Sequence, residues 1–129
     1  MSVYVDAEGT ITFYQGDSGI ITFTGLDKGT NYQVYFGIYD LTTSKPIVNE
    51  LMKESKGQES ITFELTAEYT GLIPVDVEAQ KSTYGYGLKT CLNGVENTRI
   101  PGASVKNGKI IMNPAPKVNV YYKKVEGDI

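Results

Sequence analysis

Apolar and polar positions alternate along most of this chain. Ile11-Thr-Phe13, Ile21-Thr-Phe23, Tyr32-Gln-Val34-Tyr-Phe36-Gly-Ile38 and Ile61-Thr-Phe63-Glu-Leu65 each put an apolar residue at every second position. That is the period of a strand with one face turned to a core. Ile73-Pro-Val75-Asp-Val77-Glu-Ala79 repeats it with Asp76 and Glu78 facing out, and Pro74 marks an edge or a strand start. Ile47 to Met52 reads as one more strand and Val118-Asn-Val120-Tyr-Tyr122 as the last, ahead of a charged tail from Lys123 to Ile129.

Turn chemistry separates these runs. Asn93-Gly94 and Asn107-Gly108 predict two tight hairpins, because both residues of a type I′ turn need the left-handed conformation that Asn and Gly tolerate. Asp27 to Asn31 is a polar turn, Leu41 to Pro46 a link, and Lys53 to Glu59 a solvated loop. Thr66 is placed to cap a short helical turn that ends at Gly71. In Thr83-Tyr-Gly-Tyr-Gly87 the alternating glycines predict a plain loop, or a mobile or bulged connection with exposed tyrosine rings. Eight to ten short strands with no linker and no repeat predict an all-β fold of one domain, residues 1–129. The expected architecture is an antiparallel β-sandwich, immunoglobulin-like or Greek key.

Composition narrows the function. A chain of 129 residues is long enough to bury one core without a disulfide, and Cys91 is the only cysteine, expected as a small buried hydrophobe. The net charge of -3 comes with scattered lysines, so neither nucleic acid nor an anionic membrane meets a basic stripe. No apolar run approaches the roughly 20 residues of a membrane span, and Met1 to Thr10 has no signal pattern; the expected site of synthesis and assembly is a cytoplasm. With no histidine, Ser-His, Cys-His and histidine-metal chemistry are excluded. Asp76 with Glu78 implies no cleft, and neither Asp6-Ala-Glu8-Gly9 nor Glu126-Gly-Asp128 has the ligand density of a calcium loop. No enzyme activity, cofactor or metal is expected.

What stands out is 10 tyrosines and no tryptophan. Tyrosine offers a large contact area with a polar tip, the chemistry of protein interfaces and of sugar platforms. On the third strand Gln33, Tyr35, Gly37 and Tyr39 face outward, so Tyr35 and Tyr39 are expected on one outer surface, about 7 Å apart by strand rise. Tyr84, Tyr86, Tyr121 and Tyr122 are the remaining candidates for a contact patch.

Three stretches carry a resemblance: Phe13-Tyr-Gln-Gly-Asp-Ser-Gly-Ile-Ile-Thr-Phe23, Val34-Tyr-Phe-Gly-Ile-Tyr-Asp40 and Ile61-Thr-Phe-Glu-Leu-Thr-Ala67. Together the pattern resembles the N-terminal β-sandwich of tailed-phage baseplate upper proteins and related virion adaptor domains. The resemblance implies a structural or adaptor component of a bacteriophage virion, in tail, baseplate or head surface, assembled in the bacterial host cytoplasm. The implied partners are other virion proteins, with a homo-oligomer and a host surface glycan as further ones. In that family a host-contacting region usually follows the sandwich, and this sequence ends at Ile129. A stand-alone component or a piece of a longer one is therefore implied. The rival reading is a carbohydrate-binding module using the outward tyrosines.

Overall fold

The structure, a computed structural model, describes residues 3–75, 82–102, 105 and 108–114. Among the described residues, nine strands and one short helix follow in the order β1 (Tyr4–Val5), β2 (Ile11–Tyr14), β3 (Gly19–Thr24), β4 (Gln33–Tyr39), β5 (Leu51–Glu54), β6 (Ser60–Leu65), α1 (Ala67–Gly71), β7 (Ser82–Leu92), β8 (Val95–Ile100) and β9 (Lys109–Asn113). They make two sheets. The larger runs β1-β2-β9-β7-β4-β5, with β8 also on β7, and the smaller is β3 with β6. The expected all-β sandwich is therefore the fold.

The period-2 pattern explains which face goes inside. In β4, Val34, Phe36 and Ile38 are buried while Gln33, Tyr35, Gly37 and Tyr39 take the other face. In β6 the inward set is Ile61, Phe63 and Leu65. The core fills the gap between the sheets with these residues, Ile11 and Phe13 of β2, Ile110 and Met112 of β9, and Tyr84, Tyr86 and Leu88 of β7. Each buried side chain of this size contributes about 1.5–3 kcal/mol through the apolar area it takes out of water.

β7 organises the larger sheet. Along one edge its residues Gly85 to Cys91 pair with β4. Along the other, Ser82 to Gly85 pair with β9 and Leu88 to Leu92 with β8. The β7–β8 hairpin turns at Asn93 (φ 52) and Gly94 (φ 80) as predicted. The predicted helical turn is α1, where the Thr66 hydroxyl accepts from the Tyr69 backbone N–H at 3.1 Å.

Several expectations are corrected. The sheet is not purely antiparallel, since β2 and β9 pair in parallel. Such a pair needs a long crossover, and here nearly the whole chain lies between the partners. The strand expected at 47–52 lies instead at Leu51–Glu54, taking in part of the expected 53–59 loop. Between the Tyr39–Pro46 bridge and the Phe36–Leu51 pair, β4 advances three residues and the opposing chain five, so residues 47–50 bulge out of the ladder. Ile73 to Val75 are not in a strand; Ile73 is fully buried and Val75 packs on the core. The rest of that predicted strand, with Asp76 and Glu78, lies outside the described residues, as do Asn107 and the predicted strand 118–122. Cys91 is half-buried in β7, not a core residue.

Two tyrosines set the alkaline limit of this fold. Burial pushes the Tyr86 phenol up to about 12, with the Asp6 carboxylate adding to the shift, and burial alone pushes Tyr69 to about 12. The neutral phenol is thus favoured in the folded state relative to the ordinary value of 10.0. The stability this represents is intact below pH 10 and is lost as pH rises from 10 toward 12. Thermal midpoints are expected to hold to about pH 10 and then fall, and Tyr86→Phe flattens that slope. A Tyr86→Phe slope identical to that of the parent would rule out this origin.

Candidate functional site

The outer face of the larger sheet carries a trough that comes directly from alternation in two neighbouring strands. β7 reads Tyr84-Gly-Tyr-Gly-Leu88, and its tyrosines and Leu88 turn inward, so Gly85 and Gly87 face out. β4 pairs with it so that Gly37 lies opposite Gly87 and Tyr39 opposite Gly85. Two paired glycines leave a floor without side chains. Tyr35 and Tyr39 flank it along the strand, four residues apart. Strand rise puts their Cα atoms about 13 Å apart, not the 7 Å of a two-residue step.

Tyr39 is fixed by the glycine it faces. A Cβ built on Gly85 would meet the Tyr39 ring at 2.5 and 2.6 Å, so the ring lies flat across β7 where any other residue would lift it. The far wall is the 46–50 bulge. Asp40 starts the turn that leads into it, its carboxylate accepting the backbone N–H groups of Thr42 and Thr43 at 2.8 and 3.0 Å. These two bonds, that of Thr43 the larger, hold the Asp40 carboxyl below its usual range. Ser44 takes φ 61 and Ile47 N–H bonds the Ile38 carbonyl at 2.9 Å, which seats Pro46 and Val48 beside Tyr39.

The resulting trough encloses about 240 Å³. Its charged members are Glu50 and Lys89. Lys89 reaches Glu96 at 3.6 Å, an exposed pair of small energetic worth. Glu50 has its Cγ 3.8 Å from where a Cβ on Gly37 would sit.

The sequence candidates divide. Tyr35 and Tyr39 lie half-buried on the outer face and both line the trough. Tyr84 and Tyr86 do not join them. Both are core residues, 9% and 1% exposed, in a regular strand, which corrects the expected loop with exposed rings. The Tyr84 hydroxyl donates to the Pro74 carbonyl at 2.6 Å and that of Tyr86 to the Gly9 carbonyl at 2.5 Å. Tyr121 and Tyr122 lie outside the described residues. Sequence reasoning missed Gly87, Pro46, Val48, Glu50 and Lys89. A glycine at every second position of a strand was the available signal, since it marks close approach of another group.

Several other polar groups are already engaged, although the buried Tyr69 hydroxyl has no hydrogen-bond partner among the described residues. The Tyr32 hydroxyl donates to Asp27 at 2.6 Å, which with burial raises its pKa. Arg99 stacks 5.3 Å over the same ring and donates to Thr90 at 3.1 Å. A larger hollow of about 490 Å³ is walled by Ile21, Phe23, Leu88 and Ile100, with Asp6 and Arg99 also on its lining. Asp6 accepts the Glu8 and Thr10 N–H groups, both at 2.9 Å, so both charges there already serve the fold. Among the described residues no group of three Asp, Glu or Cys side chains converges as a metal site would require.

No family model matches the chain, and no curated protein matches it. Among solved structures it is similar to dimeric latent PorU from Porphyromonas gingivalis, at 18% identity and a TM-score of 0.42. That match covers 75% of this chain but spans 9% of the length of PorU.

Proposed function

We propose that the protein is a docking component without catalytic chemistry, acting through the outer face of its larger sheet. The observation that supports this is the trough: two half-buried tyrosines around a glycine floor, lined only by β4, β7 and the 46–50 bulge. Aromatic side chains in partly desolvated depressions are what anchor protein interfaces. With the resemblance carried by Phe13–Phe23, Val34–Asp40 and Ile61–Ala67, the setting proposed is a tailed-phage virion. The protein would contact other virion proteins there, in tail, baseplate or head surface.

Antibodies raised against the chain, applied to particles purified from producing cells, test the setting. Labelled heads or tails in electron micrographs support it; bare particles with all the protein free in the lysate overturn it. The same tyrosine pair favours one second reading, a carbohydrate-binding module. A glycan array separates the two, because a sugar platform loses its signal in Tyr35→Ala and Tyr39→Ala, whereas a docking component gives no signal to lose.

A further inference from the structure

We propose that the trough takes the side chain of an arginine presented by the docking partner, an inference that rests on the docking reading above. Size comes first. About 240 Å³ lies below the roughly 300 Å³ at which enclosed small-molecule sites begin, a size that suits one long side chain.

Lining chemistry comes next. The Gly37 and Gly87 floor with Tyr35, Tyr39 and Val48 around it suits a methylene stem. A sugar, by contrast, needs several directed polar partners to replace the water bonds it loses. The charged groups on this lining are one cation and one anion, and they are not equivalent. Lys89 is already paired with Glu96, whereas the exposed Glu50 has no ion pair and no hydrogen bond among the described residues. A free carboxylate beside an apolar floor asks for an apolar stem ending in a cation. The net charge of -3 favours the same sign of partner at longer range.

Arginine meets these demands better than lysine. Its planar guanidinium stacks on tyrosine and forks onto a carboxylate, while an ammonium is a compact and strongly hydrated point charge. A second copy of this chain does not supply it. Arg99 is the only arginine, and it is held over Tyr32 and bonded to Thr90.

The test is an amide chemical-shift titration of the full chain with the peptide N-acetyl-Gly-Arg-Gly-amide. The backbone amides of Gly37 and Gly87 are expected to shift, with an affinity of ~1 mM for a single anchored side chain. Citrulline in place of arginine keeps the shape and loses the charge, and is expected to bind at least about tenfold more weakly, as is the parent peptide to Glu50→Gln. Equal binding of the citrulline peptide, undiminished binding by Glu50→Gln, or no shift at Gly37 and Gly87 overturns the proposal. Shifts of these glycines on raising protein concentration alone would assign the trough to a second copy, and shifts with a methyl glycoside would assign it to a sugar; both overturn it. Labelled particles together with a failed titration would leave the docking reading standing and remove only this occupant.

Discussion

Phe36→Ala is expected to cost about 3–5 kcal/mol of folding free energy, the range for truncating a fully buried aromatic side chain. Phe36 is completely buried and sits among three rings, with centroids at 5.8 Å from Phe23, 5.8 Å from Phe63 and 5.7 Å from Tyr86. Phe23 and Phe63 belong to the small sheet, and Tyr86 and Phe36 itself to the large one. Among the described residues no ladder of hydrogen bonds joins the two sheets, so side-chain packing is what holds them together, and this cluster is its aromatic centre. Removing the ring subtracts its transfer free energy and leaves a cavity walled by three rigid rings that cannot collapse into it. Denaturant unfolding measures the effect as a shift in midpoint at constant slope. A loss below about 1.5 kcal/mol would mean that the sheets close over the gap, and that the four rings are not the joint between them.

The cluster also marks how far the sequence could be read. Phe23 and Phe63 are legible as inward residues because each has a polar residue on either side, and Phe36 because it shares the parity of Val34 and Ile38 in an alternating run. The Asn93-Gly94 hairpin and the Thr66 cap are legible for the same kind of reason, since both are settled within four residues of chain. Tyr86, the fourth ring, is not. In Tyr84-Gly-Tyr-Gly87 both sets of alternating positions could face in: glycine has no side chain to expose on either face, and tyrosine is favoured inside where its hydroxyl finds a partner. The partners are the carbonyls of Pro74 and Gly9, the second 77 residues away in sequence, and only the assembled fold brings them there.

The trough was half legible on the same terms. Tyr35, Gly37 and Tyr39 follow from the parity of one strand. Their neighbours Gly87 and Lys89 depend on which strand pairs with β4, and Pro46, Val48 and Glu50 on a bulge set by five residues facing three. Long-range pairing and bulges leave only weak traces in a local pattern. The parallel β2–β9 ladder was hidden for the same reason, because nothing in Ile11-Thr-Phe13 specifies a partner nearly a hundred residues away.

That long-range junction is where the second large effect is expected, in Gly108→Ala. Gly108 is buried just ahead of β9, and its carbonyl accepts the Tyr86 N–H at 3.0 Å. An added Cβ would lie 2.4 Å from the Tyr86 carbonyl oxygen and 3.1 Å from both the Tyr86 ring and Ile100 Cγ2. The nearest obstacle is backbone in the middle of β7, held by pairing to β4 on its other side, so a rotamer change does not relieve it. Something must move: either β9 backs away from β7, breaking register at Gly85–Lys109, or Tyr86 shifts and disturbs the four-ring cluster. Either route is expected to cost about 2–4 kcal/mol, the range for overpacking a rigid site. Gly85→Ala is the informative control. Its Cβ would also meet atoms at 2.5 Å, but they belong to the far end of the Tyr39 side chain, which can swing toward solvent. It is expected to cost about 1 kcal/mol or less, while releasing Tyr39 from the trough and weakening the arginine peptide. Equal losses for the two variants would show that β7 yields as easily as a surface tyrosine does, and the long strand would no longer count as the rigid element on which both the core and the trough are built.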